Sequence, residues 1–193
     1  MTQIGVLALQ GDVDEHLAAL YRVGASGIEV KTQTALDAVD ALVIPGGEST
    51  TLMKLLERFS LADPLRRRAR AGMPMWGTCM GLIVIAHEIA DSEQPSLGLL
   101  DVTVRRNAFG RQNDSATVDL AIPVLGEHPF PAVFIRAPWI ERTGKGVQTL
   151  AHRDGHVVMV RQNNLLGTSF HPELTEDDRV HRYFLGMLCE AAQ

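Results

Sequence analysis

The segment Pro74-Met75-Trp76-Gly77-Thr78-Cys79-Met80-Gly81 holds a short apolar run, then a cysteine framed by glycines, then an apolar stretch reaching to about Glu88. The run at 74–77 reads as a short buried strand, and the stretch from Met80 to Glu88 as a helix. A glycine two residues before and two residues after a nucleophilic side chain, between a strand and a helix, is the sharp elbow of G-x-nucleophile-x-G sites. Such a turn leaves no room for a Cβ at the glycines and lifts the central side chain out of the sheet. Cys79 is therefore a candidate nucleophile. Cys189 sits in an amphipathic helical pattern without any such frame and reads as packing.

Upstream of the elbow, strand and helix patterns alternate. Ile4 to Leu9 is a continuous apolar run of the kind buried on both faces of a parallel sheet. Asp12 and Glu15 form a D-x-x-E capping pattern, Val13, Leu17 and Leu20 supply the helical stripe behind it, and Gly24 offers a stop. Ile28 to Val30 and Ala41 to Ile44 read as strands, the latter cut off by Pro45-Gly46-Gly47. Thr50 to Phe59 reads as a helix, and Asp63-Pro64 starts another, with proline at the first helical position and Gly72 at the end.

Downstream, strands dominate: Val102 to Arg105, Thr117 to Ala121, Val133 to Ile135, Val147 to Ala151, Val157 to Arg161 and Leu165 to Phe170. Glu93 to Gly98 and Asn107 to Asp114 read as polar connections. A final helix carries Val180, Phe184, Met187, Leu188 and Ala191 as a core-facing stripe. This order predicts an α/β fold of three layers, a mostly parallel central sheet flanked by helices with an antiparallel extension, over a single domain 1–193.

The chain has 193 residues, 46% of them apolar and 21% charged, enough to bury a core without disulfides or a structural metal. A formal charge of −5 argues against nucleic-acid binding, and Arg66-Arg67-Arg68 with Arg70 reads as a local solvated helix face. No apolar stretch approaches the ~18 residues of a membrane span. The N-terminus Met1-Thr2-Gln3-Ile4-Gly5 lacks the basic segment of a signal peptide. Two cysteines without C-x-x-C spacing fit a reduced, cytoplasmic setting.

A thiol at a helix start gains about 0.3–1 kcal/mol from the helix dipole, too little for a standing thiolate at neutral pH. A base is required, and His171-Pro172-Glu173 at the end of a strand supplies the best one. In an extended chain residues i and i+2 share a side, so Glu173 would orient His171 and complete a Cys79–His171–Glu173 triad. His16, His128, His152, His156 and His181 read as surface residues. His87-Glu88 lacks the second histidine of H-E-x-x-H, since position 91 is Asp91, so no metal site or cofactor is expected. Pro45-Gly46-Gly47-Glu48-Ser49-Thr50 lacks the G-K-[ST] ending of a phosphate loop. It is placed to supply one oxyanion donor, with the Met80 N–H as the other.

Together these pieces resemble a class I, triad-type glutamine amidotransferase, which implies a flavodoxin-like arrangement. Finer segments resemble the glutaminase subunits of pyridoxal phosphate synthase: Gly5 to Gly11 with Glu15-His16, Pro45 to Thr51, Gly77 to Cys79, Arg106 to Gln112, Phe134 to Pro138 and His171 to Thr175, in order along the chain. The resemblance implies hydrolysis of L-glutamine to glutamate and ammonia through a glutamyl thioester on Cys79. His171 would protonate the departing ammonia, Glu173 would orient the imidazole, and Gly47 and Met80 would hold the oxyanion. Gly47, Glu48, Ser49, Arg106, Ile135 and Arg136 would line the glutamine pocket. The ammonia would pass to a (β/α)8-barrel synthase subunit, with Gln10, Gly11, Asp12, Glu15 and His16 facing that partner. The flexibility of Gly46-Gly47, which lets the loop hold its oxyanion N–H turned away until a partner contacts the Gln10 to His16 region, predicts that the isolated chain is weakly active.

Two positions depart from that family's pattern. Met80 stands where alanine is usual, and Ser115-Ala116-Thr117 stands where S-F-E is usual. The same motifs fit a class I amidotransferase or cysteine hydrolase serving another acceptor. They also fit a noncatalytic regulatory subunit whose pocket Met80 blocks.

Overall fold

The computed structural model describes residues 2–106 and 115–191. The Asn107 to Asp114 connection, including Asn107 to Gln112 of the family-like segment, lies outside them, as does the side chain of Ala191. The chain begins β1 (Gln3–Leu7), α1 (Val13–Arg22), β2 (Ser26–Val30), α2 (Gln33–Asp37), β3 (Ala41–Ile44), α3 (Ser49–Arg58), α4 (Ala62–Arg70), β4 (Met75–Thr78) and α5 (Met80–Ile85). It continues with β5 (Ala86–Ile89), β6 (Leu100–Arg105), β7 (Ser115–Leu120), β8 (Phe130–Ile135), β9 (Trp139–Thr143), β10 (Gln148–Arg153), β11 (His156–Gln162), β12 (Leu165–Thr168) and α6 (Arg179–Ala191). Short 3-10 turns occupy Pro123–Leu125 and Pro172–Leu174.

Among the described residues the main sheet runs β2-β1-β3-β4-β12-β11-β9-β6-β5, with β10 paired to β11, and β7-β8 form a separate antiparallel ribbon. The pairings β1–β2, β1–β3, β3–β4 and β4–β12 are all parallel. Alternate side chains of these strands enter two cores. Leu7, Leu42, Ile44 and Met75 pack with α3, α4 and α5 on one face. Ile4, Val6, Val43 and Trp76 pack with α1, α6 and β8 on the other. This is the expected three-layer α/β arrangement. Among the described residues no helix is long and apolar enough to cross a membrane.

Some elements differ from the sequence reading. The apolar stretch expected to be helical to Glu88 divides into α5 and β5. Leu97 and Leu99 donate backbone N–H groups to the carbonyls of Val84 and Ile85, and Ala86 turns extended. The incoming chain thus satisfies the last helical carbonyls, and the remainder pairs in parallel with β6. A β-branched apolar run carries no period that separates these outcomes. Pro64 sits at the third position of α4, where the missing N–H still costs no helical bond. Strand β9 had no distinct signal. Arg66 and Arg68 are not merely a solvated face: they donate to the carbonyls of Ser96 and Leu97 and of Val39.

Candidate active site

Parallel strands β1, β3, β4 and β12 are neighbours, and the segments leaving their C-terminal ends meet. In open α/β sheets that edge is where ligands bind. The segments are 8–12 after β1, 45–49 after β3, Cys79 after β4 and 169–173 after β12.

At the elbow, Cys79 holds φ +47° and ψ −106°, a region non-glycine residues rarely adopt and which costs about 1–3 kcal/mol. Both glycines are sterically required. A Cβ on Gly77 would lie 2.5 Å from the Gly81 carbonyl oxygen, and one on Gly81 would lie 2.0 Å from that of Ile44. The elbow is thus wedged against the end of β3, and the Cys79 N–H donates to the Thr168 carbonyl at 2.8 Å. The Cys79 side chain is nearly buried, with its sulfur 3.8 Å from the Ile135 carbonyl oxygen. As the first residue of α5, Met80 has an N–H without an intrahelical acceptor. Its side chain lies in the core with those of α5.

His171 is fixed by its own N–H, which donates to the Val133 carbonyl of β8 at 2.8 Å. The Cys79 sulfur is close enough to the ring to help raise its pKa. Nδ1 is 2.7 Å from Glu173 Oε1, which leaves Nε2 to exchange a proton with the thiol. Pro172–Leu174 form a 3-10 turn, so Glu173 reaches Nδ1 by turning back and not along an extended chain as expected. Burial opposes the imidazolium, but hydrogen bonds with Asp12, Cys79 and Glu173 outweigh it and raise the His171 pKa. Burial raises that of Glu173, against the pull of His171.

Asp12 departs from its expected capping role. It precedes α1, yet its side chain makes no cap hydrogen bond and lies 3.3 Å from His171 Nδ1. The hydrogen bond to His171 lowers its pKa. Asp12, His171 and Glu173 are the one group of potential metal donors among the described residues, with the ligand atoms within 4.8 Å of one another. Their geometry is that of an imidazole held between two carboxylates.

The glycine loop is pressed between the first strand's exit and the imidazole. A Cβ on Gly46 would stand 2.6 Å from His171 Cε1, and one on Gly47 (φ +140°) would stand 2.1 Å from Gln10 Oε1. The Glu48 N–H donates to Gln10 Oε1 at 2.8 Å. The Glu48 carboxylate caps α3 through the Thr51 N–H and pairs with Arg106 at 3.1 Å. Gln94, in a polar connection that carries no motif, accepts from Ser49, Thr50 and Arg106 at 3.2, 2.9 and 2.8 Å. Glu48, Ser49 and Arg106 thus form one cluster beside the loop. The Ile135 carbonyl reaches the Cys79 sulfur, whereas Arg136, itself left-handed at φ +45°, is exposed.

Gln10, Gly11 and Asp12 border the site from outside, and Glu15 is exposed on α1. His16 is a correction: neither surface-exposed nor available to a partner, its side chain is fully buried, as is that of His181. His16 Nε2 lies 3.4 Å from Glu173 Oε2. One turn of helix carries it inward from the loop, a placement that an isolated histidine in a polar run does not signal. His128 and His152 are exposed as expected, and His156 is half-buried, stacked on Trp139.

Comparisons with known proteins place the chain among glutamine amidotransferases. Residues 6–190 match the model of the SNO glutamine amidotransferase family. The pyridoxal 5'-phosphate synthase subunit PdxT of Moorella thermoacetica is 53% identical over 186 residues, covering 96% of this chain and 99% of that protein. The subunit of the same name from Roseiflexus sp. is 56% identical over 187 residues, covering 95% and 99%. A crystal structure of a glutamine amidotransferase superposes with a TM-score of 0.91 at 48% identity, covering 96% of this chain and 98% of that one.

Proposed function

Since the chain belongs to the SNO glutamine amidotransferase family, we propose that it is the glutaminase subunit of a pyridoxal 5'-phosphate synthase, acting as one domain. The carrying observation is the strained Cys79 elbow within reach of His171, whose far nitrogen meets Glu173 at 2.7 Å.

Cys79 gives its proton to His171 and attacks the side-chain amide carbon of L-glutamine. The developing oxyanion takes hydrogen bonds from the N–H groups of Met80 and Gly47, each such donor typically worth about 2.7–4 kcal/mol. His171 returns the proton to the leaving nitrogen, and ammonia departs. Water, deprotonated by His171, then cleaves the glutamyl thioester to glutamate and regenerates the thiol. Glu173 fixes the imidazole tautomer and balances its charge. Arg106 releases Glu48 and Gln94 to take the α-carboxylate in bidentate geometry, with Glu48, Ser49, Ile135 and Arg136 around the substrate.

Ammonia passes to a (β/α)8-barrel synthase subunit in the cytoplasm. That partner docks over Gln10, Gly11, Asp12 and Glu15. Gln10 contacts Glu48 and Asp12 contacts His171, so docking there reaches both the oxyanion loop and the base. The isolated chain is accordingly weakly active. The test is ammonia release from glutamine by wild type and Cys79→Ala, with and without the barrel subunit. Release that depends on both the thiol and the partner is expected, and release unchanged in Cys79→Ala rejects the nucleophile.

A further inference from the structure

Behind the triad lie two buried imidazoles that the reaction above does not use. His16 of α1 and His181 of α6 are both at 0% exposure. His16 Nδ1 is 3.2 Å from His181 Nε2, and His16 Nε2 is 3.3 Å from Thr78 Oγ1 and 3.4 Å from Glu173 Oε2. Trp76 meets both rings edge-on, with centroids 5.5 and 5.0 Å away, and its Nε1 donates to Thr168. The chain of contacts therefore runs from the nucleophile through His171 and Glu173 to His16 and His181.

Both rings are held neutral. Burial lowers the His16 pKa well below the usual value, helped by the charges of His181 and His171. Burial also lowers that of His181, to about 4, with Asp178 opposing and Arg22 assisting. Two neutral rings facing nitrogen to nitrogen share one proton there, which leaves two assignments. If His16 carried its proton on Nδ1, its Nε2 lone pair could accept from Thr78 but would also face Glu173 Oε2, a buried carboxylate oxygen with no hydrogen-bond partner among the described residues. His181 would then have to carry its proton on Nδ1, which also has no partner. Buried N–H groups without a partner are rare in native structures. The other assignment removes both conflicts: His181 Nε2–H donates to His16 Nδ1, and His16 Nε2–H faces Thr78 and Glu173.

We infer that His16 and His181 are positioning residues for glutamine hydrolysis, a tautomer-locked pair holding one N–H against the outer oxygen of the triad carboxylate and the hydroxyl preceding the nucleophile. This rests on the reading of Glu173 as the triad carboxylate. His16 touches neither substrate nor thiol and acts through Glu173. The groups facing Glu173 are His171, Asp12 and His16; those facing His16 are His181, His171 and Glu173; those facing His181 are His16, Asp178 and Arg22.

The test compares wild type, His16→Gln, His16→Leu and His181→Leu in complex with the barrel subunit, measuring kcat and KM for glutamine across about pH 5–9. His16→Leu removes the N–H that faces Glu173 Oε2 and favours the protonated carboxyl. The expected result is a loss in kcat of about 10–100-fold, below the ~10²–10⁴ of a full acid–base group. KM should change little, and the acid limb of the profile should move to higher pH. His16→Gln, which keeps an N–H at similar reach, should restore most of the rate and the limb. Equal losses in His16→Gln and His16→Leu with an unmoved limb overturn the inference, as does an unchanged kcat.

Should the leucine variants fail to fold, ring-nitrogen NMR of the wild-type complex decides, and a His16 proton on Nδ1 refutes the assignment. Glu173→Gln separates the two readings. Wild-type rate in that variant removes the triad assignment itself. A slow Glu173→Gln whose rate His16→Leu lowers by its full factor again leaves the triad standing and removes the role of His16.

Discussion

Gly81→Ala tests whether the elbow is set by backbone contact. The added Cβ would stand 2.0 Å from the Ile44 carbonyl oxygen, against the 3.0 Å below which real Cβ atoms essentially never approach anything. Both partners are backbone, so no flexible side chain can move aside. The start of α5 and the end of β3 must separate by about 1 Å, and these are the segments that carry Cys79 and Met80 on one side and the Gly47 loop on the other. A misplacement of about 1 Å at reacting atoms can cost ~10²-fold in rate. Forced overpacking costs about 1–3 kcal/mol, partly offset by the ~1 kcal/mol better helix propensity of alanine. The assay is kcat for glutamine hydrolysis in the complex, with urea unfolding of the same variant. The comparison is Gly186→Ala on the exposed face of α6, where a Cβ meets nothing within 4 Å; this variant should gain up to ~1 kcal/mol. A Gly81→Ala protein with wild-type kcat and stability would refute the contact argument.

Met80→Ala should lower unfolding free energy by about 2–5 kcal/mol in urea titrations, because the side chain is a buried core member. Arg106→Lys should raise KM for glutamine by about 10–100-fold with a smaller effect on kcat, since an ammonium cannot copy the bidentate grip on a carboxylate. His181 should make the fold acid-labile. Its folded pKa of about 4 lies below the 6.5 of an unperturbed histidine, so between these values the unfolded chain binds a proton that the native state refuses. Stability is then complete above pH 6.5 and falls toward pH 4, by an amount of order 3 kcal/mol. Urea unfolding near neutral and mildly acid pH should register that loss in wild type and a smaller one in His181→Gln.

The strands leading to the site were legible because each is a short apolar run closed by a glycine or proline within a few residues, as in Ala41–Ile44 before Pro45. The boundary between α5 and β5 was not, since every side chain from Met80 to Ala86 is buried and burial on all sides erases periodicity. The D-x-x-E motif at Asp12 illustrates a different failure. The pattern correctly marked the start of α1, but the carboxylate found a stronger partner in the imidazole of a distant turn.

By itself the sequence determined the sharp elbow at Cys79, because the steric demand at Gly77 and Gly81 is local and only glycine meets it. It also determined the His171–Glu173 pair, whose members lie two residues apart, and the order of motifs that places the chain in its family. Tertiary structure alone decided which groups support them. His16 lies 62 residues from Thr78 and 165 from His181, and no local pattern encodes such pairings. They arise when α1 and α6 pack on the same face of the sheet around Trp76, where loss of water turns two ordinary histidines into neutral, oriented hydrogen-bonding groups.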